Sequence, residues 1–319
     1  MESKPIIEKR DISIGILGLT PGNGHPYSWS AMFNGYDKEK MTAECFYAGI
    51  PEYLNKEPAE SFGVDGAKVT HISCTGEGDF EAEHAAACSL IPNVVSDPKE
   101  LIGEVDAVIV ATDIGHEHVE RCRPFVEAGI PIFVDKPMVD NTTDLKIFEG
   151  WVSDGASIVS SSSMRYTKEF GPYRLSTREL GTIRYATITS AKYWETYGIH
   201  ALEAIYAILG PGFLTCRNTG TKTQNVVHFT HGRGADVVVV VSKDMFGGFG
   251  YLTLCGTHGS VQLKSGDSFF SFKSQLDDYV RYLRTGVRSY PFSETVELMR
   301  MVIAGIESRQ RDGALIEIT

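Results

Sequence analysis

The stretch Ile132-Phe133-Val134-Asp135-Lys136-Pro137-Met138 decides how this chain is read. The run 130–134 is short and apolar, the pattern of a buried parallel strand, and it ends in an acid, a lysine and a proline. In an open α/β sheet the ligand sits beyond the C-terminal ends of the strands. Lys136 therefore stands at the mouth of such a sheet. Pro137 fixes its own φ and biases Lys136 away from helix, which holds the lysine in one geometry.

Working outward, the preceding strand (106–111) ends in Thr112-Asp113, and a helix (119–128) stopped by Gly129 joins the two. Strand and helix alternate, which predicts a parallel doubly wound sheet. The first strand (12–19) enters Gly18-Leu19-Thr20-Pro21-Gly22-Asn23-Gly24-His25-Pro26, and a helix over 26–36 follows. A glycine turn before a helix start binds phosphate through backbone N–H groups. The dinucleotide fingerprint asks for Gly-x-Gly-x-x-Gly. Gly18 fits its first place, Thr20 and Asn23 stand in the other two, and Gly22 and Gly24 serve in a shifted register. An ordinary tight turn is the alternative. Residues 37–65 are long for a βαβ connection. With Tyr47, Pro51, Tyr53 and Pro58 they read as a packed excursion, a lid or a subunit contact. After a strand at 68–74, Glu77 or Asp79 is placed to hold the ribose hydroxyls of an adenosine. No arginine lies nearby to meet a 2′-phosphate, which favours NAD over NADP. Helices are expected at 81–89 and, after the N-cap Asp97, at 98–102.

The 319 residues allow two domains. A net charge of -11 without a basic block argues against nucleic acid or an anionic membrane as partner. No apolar run approaches the ~20 residues of a membrane span, and residues 1–10 carry no signal-peptide core. The six cysteines are scattered, with no Cys-x-x-Cys, the usage of reduced thiols in a cytoplasmic protein. His116 and His118 flank one glutamate. No matching cluster accompanies them, so they read as loop or helix-start residues and no metal is expected.

Ala111-Thr112 followed by His118, then Glu127-Ala128-Gly129, then Asp135-Lys136-Pro137, resembles the Gfo/Idh/MocA oxidoreductases in order and spacing. Met164-Arg165-Tyr166, Leu180-Gly181-Thr182-Ile183 and the helix Tyr197-Gly198-Ile199-His200-Ala201-Leu202-Glu203 resemble that family's second half, as do Pro291-Phe292-Ser293-Glu294 and the residues on to Gly313. The resemblance implies a Rossmann domain (1–163) and an α+β domain with an open, mostly antiparallel sheet (164–319). It implies a nicotinamide cofactor, NAD or NADP, and hydride exchange with a carbinol of a sugar, inositol or related polyol. Lys136 and His200 would face the substrate, and the Lys-Pro bond is often cis. Two positions depart from the family. Thr196 stands where it has an acid, and Asp135 is shorter than its glutamate.

In the second half, helices are expected at 171–180, 198–209, 272–283 and 294–309, the last two capped by Ser271 and Ser293. A long strand at 183–194 is followed by short ones at 213–217, 225–231, 236–242, 250–255 and 260–263. Residues 237–241 are continuously apolar, the mark of a strand buried on both faces. The sheet's second face then needs a cover, which points to a homo-oligomer, dimer or tetramer. His200 lies in a first helical turn, where the positive end keeps an imidazole neutral.

The expected chemistry follows. The turn of Gly18, Thr20, Gly22, Asn23 and Gly24 holds the pyrophosphate. Glu77, Thr112, Asp113, His118, Asp135 and Lys136 complete the cofactor side. Lys136, its pKa lowered by burial, polarises or deprotonates the reacting hydroxyl, and His200 relays the proton. Arg165, Tyr193, Thr196 and Tyr197 join them around the substrate, the tyrosines compensating for the missing acid. Two alternatives stand beside this: an NAD-cycling lyase or glycosidase, and a ligand-binding regulator that kept the pocket.

Overall fold

A computed structural model describes residues 4–74 and 80–318. Two sheets carry the chain. The first is built from β1 (Ile12–Gly18), β2 (Ala67–Cys74), β3 (Asn93–Val95), β4 (Ala107–Ala111), β5 (Ile132–Val134) and β6 (Ile158–Ser160), all parallel, in the order β3-β2-β1-β4-β5-β6. Strand order reverses between β1 and β4, which opens the ligand crevice of a doubly wound sheet there. Its helices are α1 (His25–Asn34), α2 (Lys38–Glu44), α3 (Gly49–Leu54), α4 (Phe80–Ser89), α5 (His118–Glu127) and α6 (Thr142–Ser153).

The second half contributes α7 (Gly171–Leu175), β7 (Ile183–Ala191), α8 (Ile199–Leu209), β8 (Phe213–Asn218), β9 (Gln224–His231), β10 (Asp236–Ser242), β11 (Tyr251–Gly256), β12 (Ser260–Lys264), α9 (Ser268–Thr285), α10 (Phe292–Gln310) and β13 (Ile316–Glu317). Its sheet runs β12-β11-β7-β10-β9-β8-β13. Only the β7–β10 pair is parallel. The expected fold class is therefore the observed one. Among the described residues no helix is long and apolar enough to cross a membrane.

The two halves share a core. From α9, Phe269, Leu276, Tyr279, Val280 and Leu283 pack with Ile14, Ile16, Ile109 and Phe133 of the first sheet. Each such buried side chain contributes about 1.5–3 kcal/mol. The Tyr279 hydroxyl lies 3.2 Å from both the Val108 and the Pro131 carbonyls. The amides of Ile6 and Ile7 reach the Leu283 carbonyl. A helix from the second half thus covers the first sheet, which roots the crevice between them.

Several expectations change. The valines of β10 alternate: Val237, Val239 and Val241 are fully buried, while Val238 and Val240 are partly exposed. Helices cover one face of the sheet only, so an apolar run here does not mean burial on both faces. The helix expected at 171–180 ends at Leu175, and a 3-10 turn, Arg178–Leu180, follows. The long strand stops at Ala191, where Lys192 takes a left-handed φ of 59°. A π-turn, Trp194–Gly198, then leads into α8. The caps also differ. Asp267, not Ser271, accepts the Phe270 amide at the start of α9, and Pro291, not Ser293, occupies the N-cap of α10. Strand β3 and helix α6, capped by Asn141, carry no expectation from the sequence. Residues 98–101 form a 3-10 turn with a full capping box between Asp97 and Glu100.

Candidate active site

The turn after β1 is shaped by close approach. A Cβ on Gly18 would lie 2.5 Å from the Ala111 carbonyl oxygen and 2.8 Å from Pro26. Glycine alone lets β1, β4 and α1 meet here. Gly22 has a φ of 87° and nothing within 4 Å of where a Cβ would point, so that side of the turn is uncovered. Gly18→Ala is expected to destabilise the protein by about 1–3 kcal/mol through overpacking against backbone. A thermal unfolding midpoint within 1 °C of wild type would contradict this packing.

The other turn residues face inward. Asn23 is buried. Its amide donates to the Ala111 carbonyl (3.4 Å) and Asp135 Oδ2 (3.2 Å), and its carbonyl accepts the His25 amide (3.0 Å). This explains an asparagine where the fingerprint has glycine: it ties the helix start to β5, and its side chain is not offered to a cofactor. Thr20 Oγ1 lies 3.5 Å from Asp113 Oδ1. Tyr47, from the excursion, sits over Gly24, whose Cβ would meet its ring at 2.6 Å. Its hydroxyl accepts the Gly22 amide and donates to Glu81 (3.3 Å). Glu81 is thus an acid beyond β2 that reaches the turn. Glu77 and Asp79 lie outside the described residues.

Lys136 is 3% exposed, lies just past the end of β5 and is joined to Pro137 by a cis peptide bond. Its Nζ is 3.9 Å from both Asp113 Oδ2 and Asp135 Oδ2, and 5.2 Å from the Tyr197 ring centre. Burial works to lower its pKa, but Asp135, Asp113 and Tyr197 outweigh it and the shift is upward. The expectation of a lowered lysine is overturned: two carboxylates hold the proton on. Asp135 is itself fully buried. Burial would raise its pKa, yet His25 and Lys136 hold it well below the carboxylate range. Its Oδ2 accepts His25 Nδ1–H (2.7 Å) and its Oδ1 the Lys136 amide (2.7 Å).

His200 sits in the first turn of α8, edge-on to Tyr197 and Phe249. Burial, then Lys136, push its pKa well down, so the ring is neutral. The neutrality expected from the helix end has burial as its main cause. Its Nδ1 is 2.7 Å from Ser162 Oγ, which also accepts the Met164 amide (3.1 Å). Behind them Glu203 accepts the Ser162 amide (3.2 Å) and pairs with the buried Arg165, which reaches Glu294 at 3.0 Å and lies 3.8 Å from the Tyr290 ring centre.

His25, Tyr197, His200 and Phe249 line one cleft of about 290 Å³, with Lys136 just behind Tyr197. The cleft continues past residues 266–268 into a wider polar trough of about 570 Å³, walled by α3 of the excursion. Other expected members lie elsewhere. Arg165 is spent on Glu203 and Glu294, not turned to the cleft. Tyr193 stacks near Lys243, and neither it nor Thr196 lines the cleft. Thr112 and His118 are both fully buried. His118 Nδ1 meets the Met138 carbonyl (2.9 Å) and Nε2 meets Thr112 (2.8 Å), so this histidine braces the loops after β4 and β5 and has no nitrogen left for a cofactor. Among the described residues no cluster suits a metal ion. The sequence reading missed His25, though Asn-Gly-His-Pro at the end of the first strand was a visible signal.

Known proteins match this picture. Residues 49–148 match the model of an oxidoreductase family with an NAD-binding Rossmann fold, GFO_IDH_MocA. Inositol 2-dehydrogenase 1 of Saccharopolyspora erythraea is 36% identical over 106 residues, 32% of this chain and 31% of that protein. A putative UDP-kanosamine synthase oxidoreductase subunit of Amycolatopsis mediterranei is 26% identical over 132 residues, 35% of this chain and 37% of that protein. The chain thus spans about a third of the length of the curated relatives it matches. The fold is shared throughout with myo-inositol dehydrogenase from Lactobacillus casei, solved in complex with NAD(H) and myo-inositol: TM-score 0.72, 14% identity, 97% of each chain covered. Residues 49–148 are thus similar to the Gfo/Idh/MocA oxidoreductases, and the whole chain shares its fold with the solved inositol dehydrogenase.

Proposed function

We propose that the protein is an NAD(P)-dependent dehydrogenase acting on a CH–OH group of an inositol, sugar or related polyol. One observation carries this reading: two histidines line a cleft after the glycine turn, and a buried lysine held by two carboxylates stands behind the cleft's Tyr197, at the switch point of the first sheet. The names of the relatives above support the substrate class. The turn fits a dinucleotide, since Gly18 permits close helix approach and nothing covers the side of Gly22 where a side chain would stand. Gly22 and Gly24 would face the pyrophosphate, with Glu81 towards the adenosine ribose and Asp113 towards the nicotinamide end. The bound dinucleotide supplies the hydride acceptor or donor. Lys136 places a charged donor at the reacting oxygen and stabilises the negative charge that grows there. NAD is preferred over NADP because no arginine follows β2.

The open face of the second sheet presents Tyr185, Val226, Val238, Val240 and Tyr251. We propose that a second copy covers it, and that the scattered cysteines, with no Cys-x-x-Cys among them, reflect a cytoplasmic protein. The substitution at Thr196 favours a second reading, a binding regulator.

Titration with NADH and NADPH, followed by fluorescence, tests the cofactor site. Micromolar binding of one, and NAD(P)-linked turnover of myo-inositol, scyllo-inositol or a hexose, is the expected result. Binding without turnover on such a panel favours the regulator. Binding of neither overturns both readings.

A further inference from the structure

Two histidines face the cleft, and their partners differ in kind. His25 Nδ1 lies 2.7 Å from Asp135 Oδ2. An ionised carboxylate only accepts, so the Nδ1 proton belongs to His25 and Nε2 of the neutral ring is a bare acceptor. Among the described residues Nε2 has no hydrogen-bond partner. The ring is fixed by stacking on Trp29 (4.4 Å between centres, 15° between planes) and by the edge of Phe272 (5.3 Å). Asn23 and the Lys136 amide complete the carboxylate's bonds and hold it in place.

His200 is set the other way. Its Nδ1 faces the Ser162 hydroxyl, and Ser162 is fully buried. The Ser162 oxygen already accepts the Met164 amide, and its proton has no acceptor but His200 Nδ1 among the described residues. Leaving a buried donor unpaired costs about 1–3 kcal/mol, so Ser162 donates. His200 Nε2 then carries the proton and acts as a donor.

We propose that His25, held by Asp135, is the catalytic base of the cleft, and that His200 binds the substrate as a hydrogen-bond donor. This rests on the dehydrogenase reading above. In the oxidising direction the hydroxyl proton passes to His25 Nε2 and the C–H electron pair leaves as hydride to the oxidised dinucleotide. A C=O bond forms, and the imidazolium stays paired with Asp135. In the reducing direction the same proton returns to the oxygen. Lys136, already protonated, stabilises the charge without being the acceptor. The His25 side chain is 17% exposed, which lets it exchange its proton with solvent through the cleft between turnovers.

Imidazole nitrogen NMR on ¹⁵N-histidine-labelled protein tests the assignment without any activity. With NADH present, His25 is expected as the Nδ1–H tautomer and His200 as Nε2–H, assigned with His25→Gln and His200→Gln. The reverse pattern overturns the proposal. On the substrate found in the polyol screen, His25→Gln is expected to lose about 10²–10⁴-fold in kcat, with KM and NADH affinity within a few fold. His200→Gln, which keeps a donor, is expected to raise KM more than it lowers kcat. Added imidazole should restore part of the turnover of His25→Gly. If wild type turns over substrate and His25→Gln matches it, His25 is not the base. If wild type binds no dinucleotide, the dehydrogenase reading fails instead, and this role with it.

Discussion

Replacing Lys136 by methionine is expected to lower kcat by about 10²–10⁴-fold, the range for removing a charged donor from a reacting oxygen. NADH affinity should stay within a few fold. Methionine keeps most of the buried stem and removes only the ammonium group. The structure says what surrounds that group. It sits 3.9 Å from each of two carboxylates, and they hold its proton on despite full burial. A lysine in that state is a poor base and a strong electrostatic partner for a developing alkoxide. The Lys136→Arg variant sharpens the point. It keeps the charge but not the compact shape, and should recover little. Steady-state kinetics and NADH titration on the same preparations check both claims. Turnover of Lys136→Met within threefold of wild type would remove the lysine from the chemistry.

The largest effect on stability is expected at Arg165. Its guanidinium is buried between Glu203 and Glu294 and lies over Tyr290. Arg165→Met leaves Glu203 buried without its cation, a change that costs about 3–5 kcal/mol. Glu203 is an acid whose folded pKa already lies above its ordinary value, by burial, with Arg165 pulling the other way. Loss of Arg165 raises it further. A raised acid destabilises the fold at high pH, and the penalty is relieved as pH falls through the folded pKa towards the unfolded value of about 4.3. The deficit of Arg165→Met should therefore be smaller at pH 5 than at pH 8. Arg165→Met/Glu203→Gln should recover part of it. Denaturant unfolding at the two pH values measures this, and a deficit that grows on acidification would sink the account. Because Ser162 links Glu203 to His200, the variant should also weaken substrate binding.

The chain's local signals carried a great deal. Apolar runs of five or so residues broken by helices were enough for a parallel sheet, because parallel strands are buried on both faces and need no alternation. The step from the run 130–134 to Asp135-Lys136-Pro137 placed the lysine at the C-terminal end of the sheet, since the polarity of a βαβ unit leaves no other end for it. The place of His200 in the first turn of an apolar helix was legible from the helical period, whereas a role facing the substrate came only from the resemblance to the oxidoreductase family. Burial of β10 was not legible, because five valines look alike whether one face or two are covered.

What only the tertiary structure decided is where the charges lie relative to one another. The protonation of Lys136 depends on Asp113 and Asp135 reaching it from the ends of two strands. His25 becomes a base only because β5 delivers a carboxylate 2.7 Å from a residue 110 positions away in sequence. Arg165, which by position belongs beside the substrate, is claimed by Glu203 and Glu294 from α8 and α10. Sequence determines which elements form, since that is a matter of local period and turn chemistry. It leaves open the state of a titratable group, since Coulomb and desolvation energies depend on distances set by packing.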